Sequence, residues 1–316
     1  LSDENFRGVP VLVTGGGGFI GSHLADALLE AGAEVTVLDN FATGRRENLT
    51  AVAERIELVE GDIRDPALCR RTAEGKRFVF HQAALGSVPR SLEDPATTIA
   101  VNVAGTANVF AAARDAGAVR VVYASSSSVY GSSETLPKRE GEEGQVLSPY
   151  ALSKAMNEEL ADTFGRCFGL ELVGLRYFNI YGPRQSPEGP YAAVLPRFFA
   201  AYGAGEAPTI HGDGEQSRDF TYVADAVGAN LAAARAPASA CGRAYNVAPG
   251  SRTTVNQLAE RVRELCGSDL EPVHGPPRAG DVRHSMADVT RLREHLGFEA
   301  EVTIEDGLAR TYESFR

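Results

Sequence analysis

Residues 9–39 read Val-Pro-Val-Leu-Val-Thr-Gly-Gly-Gly-Gly-Phe-Ile-Gly-Ser-His-Leu-Ala-Asp-Ala-Leu-Leu-Glu-Ala-Gly-Ala-Glu-Val-Thr-Val-Leu-Asp. The apolar run Val9 to Val13 has the form of a buried parallel strand. Apolar residues then recur at Ile20, Leu24, Ala27, Leu28 and Ala31, which is helical spacing, and Gly32 supplies a stop. A second strand, Glu34 to Leu38, ends at Asp39. Strand, glycine loop, helix, strand and terminal acid, in that order, specify a dinucleotide-binding unit. The glycines read as G-x-x-G-x-x-G (Gly15, Gly18, Gly21) or, overlapping, as G-x-G-x-x-G (Gly16, Gly18, Gly21). Either way the loop, with Phe19 and Ile20, lets backbone approach a pyrophosphate at a helix N-terminus.

Asp39 lies 18 residues beyond Gly21, where an acid meets the adenosine ribose hydroxyls. A carboxylate there repels a 2′-phosphate, so NAD is favoured over NADP. Arg45 and Arg46 follow closely and act against that preference. Strand-like runs recur at Ile56 to Val59, Phe78 to Phe80, Val119 to Tyr123 and Val173 to Phe178, with helical spacing from Ile99 to Ala113. The expected fold is α/β, a doubly wound parallel sheet. Asp62 and Ile63 sit where an adenine could be held by a carboxylate and a backbone group. Ala83-Ala84-Leu85-Gly86 is small enough to pass close to a cofactor.

From about residue 182 glycine and proline become denser. Helices are expected at Val194 to Tyr202, 224 to 235, Thr253 to Leu265 and Thr303 to Phe315, the last opened by an approximate capping box of Thr303 and Asp306. A strand is expected at Ala244 to Val247. Residues 1–180, with returning segments at about 220–248, form the expected dinucleotide-binding domain. Residues 181–219 and 249–316 form a smaller interleaved C-terminal substrate lobe.

The 316 residues carry a net charge of −11, which argues against a nucleic-acid partner. Four cysteines, Cys69, Cys167, Cys241 and Cys266, lack paired short spacing, so no metal site is expected and free thiols in a reducing compartment fit. No apolar run approaches the roughly 18 residues of a membrane span and no secretory signal opens the chain, so the expected location is cytoplasmic.

The catalytic expectation rests on Ser148-Pro-Tyr-Ala-Leu-Ser-Lys154. Pro149 disfavours helix for the residue before it, so a helix starts here. Tyr150 and Lys154 then stand one turn apart on one face. An ammonium beside a phenol favours the phenolate, giving a base that works near neutral pH. Strand five runs into Ser125-Ser126-Ser127-Ser128, and ligands sit at the carboxyl ends of parallel strands, so this cluster could donate to a substrate oxygen.

Together these residues resemble the extended short-chain dehydrogenase/reductase family, and within it the NAD-dependent nucleotide-sugar 4-epimerases. The resemblance runs from about residue 8 to the C-terminus. It rests on Thr14 to Gly21, Asp39-Asn40, Asp62, Ala83-Ala84, the serines before Tyr130-Gly131, Tyr150 with Lys154, Arg176-Tyr-Phe-Asn179, Arg218-Asp219 and Gly280-Asp281. Gln82 to Ser91, Leu147 to Ala151 and Gly280 to Ser285 look like the versions in bacterial UDP-N-acetylglucosamine 4-epimerases. The resemblance implies that Tyr150 takes the proton from the sugar 4-hydroxyl while the C4 hydride passes to a tightly held NAD. Lys154 would also hold the nicotinamide ribose, Ser126 would bond the 4-oxygen, and Ser127 or Ser128 could share that role. Asn40, Asn102 and Tyr177 join the implied cofactor contacts. Ser87, Ser127, Asn179, Val194, Arg218, Arg278 and Asp281 join the implied UDP-sugar contacts. Ser285 would border the sugar 2-substituent and leave room for an N-acetyl group, favouring UDP-N-acetylglucosamine, with UDP-glucose also accepted. The related dehydratases carry an Asp-Glu pair in the strand-five loop, and no acid stands there here. The alternatives are a UDP-glucuronate 4-epimerase or decarboxylase and, in another class, a non-catalytic NAD-binding regulator. Helices near 99–113 and 150–168 would form a homodimer interface.

Overall fold

A computed structural model describes residues 6–188, 193–277 and 283–315. Its centre is a seven-stranded sheet: β1 (Pro10–Thr14), β2 (Glu34–Asp39), β3 (Ile56–Glu60), β4 (Phe78–His81), β5 (Arg120–Ser126), β6 (Glu171–Tyr177) and β7 (Arg243–Val247). Every pairing is parallel, in the order β7-β6-β5-β4-β1-β2-β3. The order reverses between β1 and β4, and a crevice opens at the carboxyl ends of that pair.

Alternation along the strands sends side chains to two cores. Val11, Val13, Val37 and Phe80 pack with Leu24 and Leu28 of the helix Phe19–Glu30 and with Ala226 and Ala229 of the helix Val223–Arg235. Leu12, Leu38, Val79 and Val121 face the other way, onto Phe110, Ala161 and Phe164. Helices thus cover both faces, as a fully parallel sheet requires. The fold is the doubly wound sheet read from the sequence, with a smaller lobe. That lobe has its own core, including Leu195, Phe198, Phe220, Leu258 and Leu308. Short pairs of strands brace it: Thr209–His211 with Val273–Gly275, and Ser217–Arg218 with Thr253–Thr254.

Three sequence expectations are corrected. The helix near 99–113 begins earlier and runs from Pro95 to Asp115, with π geometry over Ala100–Gly105. By length and composition it is the one described helix apolar enough to cross a membrane, contrary to the reading that no such run exists. It packs on the sheet instead, burying Val109, Phe110, Ala112 and Ala113. The helix Ile304–Glu313 is capped by Thr303 accepting from the Asp306 N–H, but the Asp306 carboxylate takes the Thr303 hydroxyl rather than its backbone. The full capping box stands at Thr254 and Gln257.

Candidate active site

The glycine loop comes first, since it fixes where a dinucleotide can lie. Gly15 has φ +73°, and a Cβ there would stand 2.6 Å from the Ala83 nitrogen. A Cβ on Gly21 would stand 2.1 Å from the Gly15 carbonyl oxygen. The ends of β1 and β4 therefore meet across backbone alone, with Ala83 and Ala84 beside the turn. Asp39, at the end of β2, accepts the Gly17 N–H at 2.8 Å and the Phe41 N–H at 2.7 Å. Each carboxylate oxygen keeps a further lone pair for a ribose hydroxyl. The bare cradle and the buried acid at the switch point fit a dinucleotide.

Other residues expected at the cofactor also have protein neighbours. Asp62 is tied to Arg64, whose hydrogen bonds hold its carboxyl down at about 2, and it accepts from Asn40 at 3.0 Å. Ile63 is buried, and its carbonyl accepts from Asn108 at 3.0 Å. Phe19 and Ile20 lean on separate cores. Asn102 brackets Leu85, accepting its N–H at 2.8 Å and donating to its carbonyl at 3.2 Å, and donates to Ser153 at 3.0 Å. The Tyr177 hydroxyl donates to Gln82 at 3.0 Å and accepts from Asn230 at 2.7 Å. Arg45 pairs with Glu188 and Arg46 with Glu60, so neither is an uncommitted clamp for a 2′-phosphate.

The helix Pro149–Phe168 starts where the sequence predicts, with Ser148 capping the Ala151 N–H at 3.1 Å. Tyr150 and Lys154 stand one turn apart, the ammonium 6.0 Å from the phenol ring centroid. Lys154 is buried and donates to the Ala124 carbonyl at 2.8 Å. Ser126, at the end of β5, lies beside the Tyr150 hydroxyl and favours its ionised form. The expected acidified phenol is corrected here. Burial pushes Tyr150 above its ordinary value, and the neighbouring Ser126 offsets only part of that. Burial also lowers Lys154, to about 8. The reason is common to both: each charged form loses water on burial.

Ser127 opens the 3₁₀ turn Ser127–Tyr130, and the Ser128 hydroxyl is buried without a partner among the described residues. Ser87 caps a short helix by accepting the Arg90 N–H at 3.2 Å. Asn179 has φ +39° and donates to the Asp219 carbonyl at 3.1 Å. Asn179, Val194 and Arg218 line one cavity of about 600 Å³. Ser285 donates its N–H to the Ser217 carbonyl at 3.0 Å, next to Arg218. Arg278 and Asp281 lie outside the described residues. The cavity also takes in Leu195, Phe198 and Ala201 of the helix Val194–Gly203. The spacing Val194, Phe198, Ala201 marks one helical face and could have announced them. Asp219 was quoted only as part of a motif. It is buried, its carboxylate accepts from Ala287 and Ser251, and burial raises it to about 6.

The chain matches the NAD dependent epimerase/dehydratase family over residues 11–248. It belongs to that family. A UDP-glucose 4-epimerase of Mycolicibacterium smegmatis is 40% identical over 309 residues, 96% of this chain and 98% of that one. A UDP-N-acetyl-alpha-D-glucosaminuronate decarboxylase of Bacillus cytotoxicus is 36% identical over 321 residues, 96% of this chain and 97% of that one. Among solved structures, the UDP-N-acetylglucosamine 4-epimerase of Methanobrevibacter ruminantium, in complex with UDP-N-acetylmuramic acid, matches with TM-score 0.93 and 38% identity over 98% of this chain and 99% of that one. The Thermus thermophilus UDP-glucose 4-epimerase complexed with NAD matches with TM-score 0.88 and 36% identity over 97% and 99%. Family, cradle and acid agree: the chain binds NAD and is an enzyme of epimerase type acting on nucleotide sugars. The relatives do not single out the N-acetylglucosamine subgroup that the sequence favoured.

Proposed function

We propose that the chain interconverts a UDP-hexose and its 4-epimer, the N-acetylated pair and the glucose pair being its substrates. The reading is carried by the Tyr150 hydroxyl beside Ser126 at the end of β5, with Lys154 one turn on along the same helix. Tyr150 takes the 4-hydroxyl proton, Ser126 holds the 4-oxygen, and Lys154 keeps positive charge beside the phenol. NAD, held on the glycine loop and Asp39, would supply a reversible hydride acceptor for C4. The keto sugar turns about its phosphate link and presents its other face. Asn179, Val194 and Arg218, on the 600 Å³ cavity, hold the nucleotide, and the arginine's planar fork suits a diphosphate. We assign Arg278 and Asp281 to the same task, and Ser285 to the edge of the sugar 2-substituent. The absence of an acid in Ser126 to Val129 supports epimerisation over dehydration.

A second reading has support from the relatives at least as strong, since one is named a uronate decarboxylase. A 4-keto uronate is a β-keto acid: breaking its C5–C6 bond releases carbon dioxide and leaves a C4–C5 enolate, which takes a proton at C5. One experiment separates them: incubation with UDP-N-acetylglucosamine, UDP-glucose and UDP-glucuronate separately, with products read by NMR. The 4-epimers of the first two are expected. A pentose nucleotide or the uronate epimer alone would establish the second reading. Equal turnover of the first two would remove the role given to Ser285. No product and no transient reduced nicotinamide with any sugar would leave a non-catalytic NAD-binding protein.

We also propose a homodimer. Leu152 and Met156, one turn apart on the Tyr150 helix, are 42% and 38% exposed, and Leu92 on the adjoining helix Val88–Glu93 is 62% exposed. Apolar residues grouped this way mark an association surface. Light scattering should give twice the 33.5 kDa chain mass, and Leu152→Asp should give monomers. A monomeric parent protein would end the proposal.

A further inference from the structure

Beyond Lys154 on the same helix, one more turn brings Glu158, which the reaction as described does not use. The β5–β6 register sets Ser125 beside Arg176. Both converge on this carboxylate. Ser125 donates to Glu158 at 2.5 Å, and Arg176 donates through Nε at 2.9 Å and Nη2 at 2.7 Å. Arg176 also pairs with Glu143, from the loop that joins β5 to the Tyr150 helix, and lies 5.0 Å over the Tyr130 ring. Signs alternate along this chain of groups: Lys154, Glu158, Arg176, Glu143. The Glu158 side chain is 17% exposed and that of Arg176 7%.

We infer that Glu158 is a positioning residue: it keeps Lys154 cationic beside Tyr150 and thereby sets the alkaline limit of the reaction. The inference rests on the epimerase reading above. No ion pair between Lys154 and Glu158 occurs within 4.0 Å among the described residues, so the effect is Coulombic through a poorly solvated interior rather than a direct bond. Burial pulls Lys154 down and the Glu158 carboxylate opposes it. The other titratable neighbours contribute little. His81, from β4, is fully buried and held at about 3 by burial, hence neutral. Tyr123 on β5 and Tyr130 in the following turn are pushed up by burial and are neutral too. Arg90 and Glu93, on the helix Val88–Glu93 packed against this one, carry opposite charges. Of the charged groups around it, Glu158 is the one that opposes burial at Lys154.

The same contacts fix geometry. Ser125 precedes Ser126, the neighbour of Tyr150, and the Ala124 carbonyl before it receives Lys154. Glu158 thus ties the end of β5 to the helix at the height of the reacting groups.

The test is Glu158→Gln. The chain has three lysines, Lys76, Lys138 and Lys154, so lysine-labelled NMR can follow the Lys154 amine directly. Its titration should move to lower pH by about one unit, and the alkaline limb of the kcat profile should move with it. Turnover near pH 8 should fall about fivefold, and much less a pH unit and a half lower, because a one-unit drop from about 8 takes the charged fraction at pH 8 from about one half to about one eleventh. A uniform fall at every pH with the lysine titration unmoved would overturn the inference and leave Glu158 a structural strut. If Glu158→Gln does not fold, Glu158→Asp keeps the charge one methylene further back. It should give a smaller shift in the same direction, and an unmoved lysine with impaired turnover would again overturn it. The titration needs no turnover, so failure of the epimerase reading would show in the wild type with all three sugars and not in this measurement.

Discussion

Replacing Tyr150 by Phe lowers turnover about 10²–10⁴-fold, the range that a positioned general acid or base supplies. The substitution removes one oxygen and nothing else. The ring keeps its place above Lys154, and Ser148 still caps the helix. The fold and bound NAD should therefore survive, which absorbance of the purified variant and a urea unfolding curve will show. The Ser126 hydroxyl keeps its hydrogen bond from the Ser128 N–H at 3.1 Å, so the stability cost should be small. Activity within tenfold of the parent would mean that the proton leaves by another route, and the assignment of Ser126 and Lys154 would go with it. Loss of NAD together with activity would mean instead that Tyr150 holds the cofactor rather than the proton.

Gly21→Ala should have an effect of similar size by an unrelated route. The added methyl would lie 2.1 Å from the Gly15 oxygen, 2.8 Å from the Gly15 carbonyl carbon and 2.9 Å from the Gly16 Cα. All three are backbone atoms in one turn, so no side chain can swing away. Overpacking of this kind costs about 1–3 kcal/mol where the surroundings relax, and more where they cannot. Relaxation here means opening the turn that cradles the pyrophosphate. The variant should purify without NAD, unfold at lower urea, and show activity at least about tenfold down even with NAD added, one decade for each 1.4 kcal/mol lost at the cradle. Full NAD content with unchanged stability would show that the dinucleotide lies elsewhere than on this loop.

How far the sequence could be read depended on the range of the interactions involved. The β1 to Asp39 unit was legible because its signals are local: an apolar run, glycines where backbones touch, an acid at a strand end. The start of the Tyr150 helix was legible for the same reason, through Ser148 and Pro149. Partner choice was not. Nothing near Asn102 announces that its amide brackets Leu85 and reaches Ser153, and nothing near Tyr177 announces Gln82 and Asn230. Those bonds join segments far apart in the chain and exist only once the sheet has formed. The state of Tyr150 was misjudged because spacing reports which charges are near but not how much water is gone. Pro95–Asp115 was read short at its start because its first turn, Pro95 to Thr98, carries no apolar period, although Asp94 caps it and Pro95 opens it.

The edge strand β7 carries one more consequence. It comes from Arg243–Val247, after only the first segment of the smaller lobe has been made, yet it covers the open side of β6, where Val173 and Leu175 are fully buried. Until that late segment emerges from the ribosome, β6 presents bare amides and apolar side chains to any other strand in reach. Synthesis and maturation of the two lobes are thereby locked together, and a fragment ending before Arg243 would be born sticky rather than half-finished.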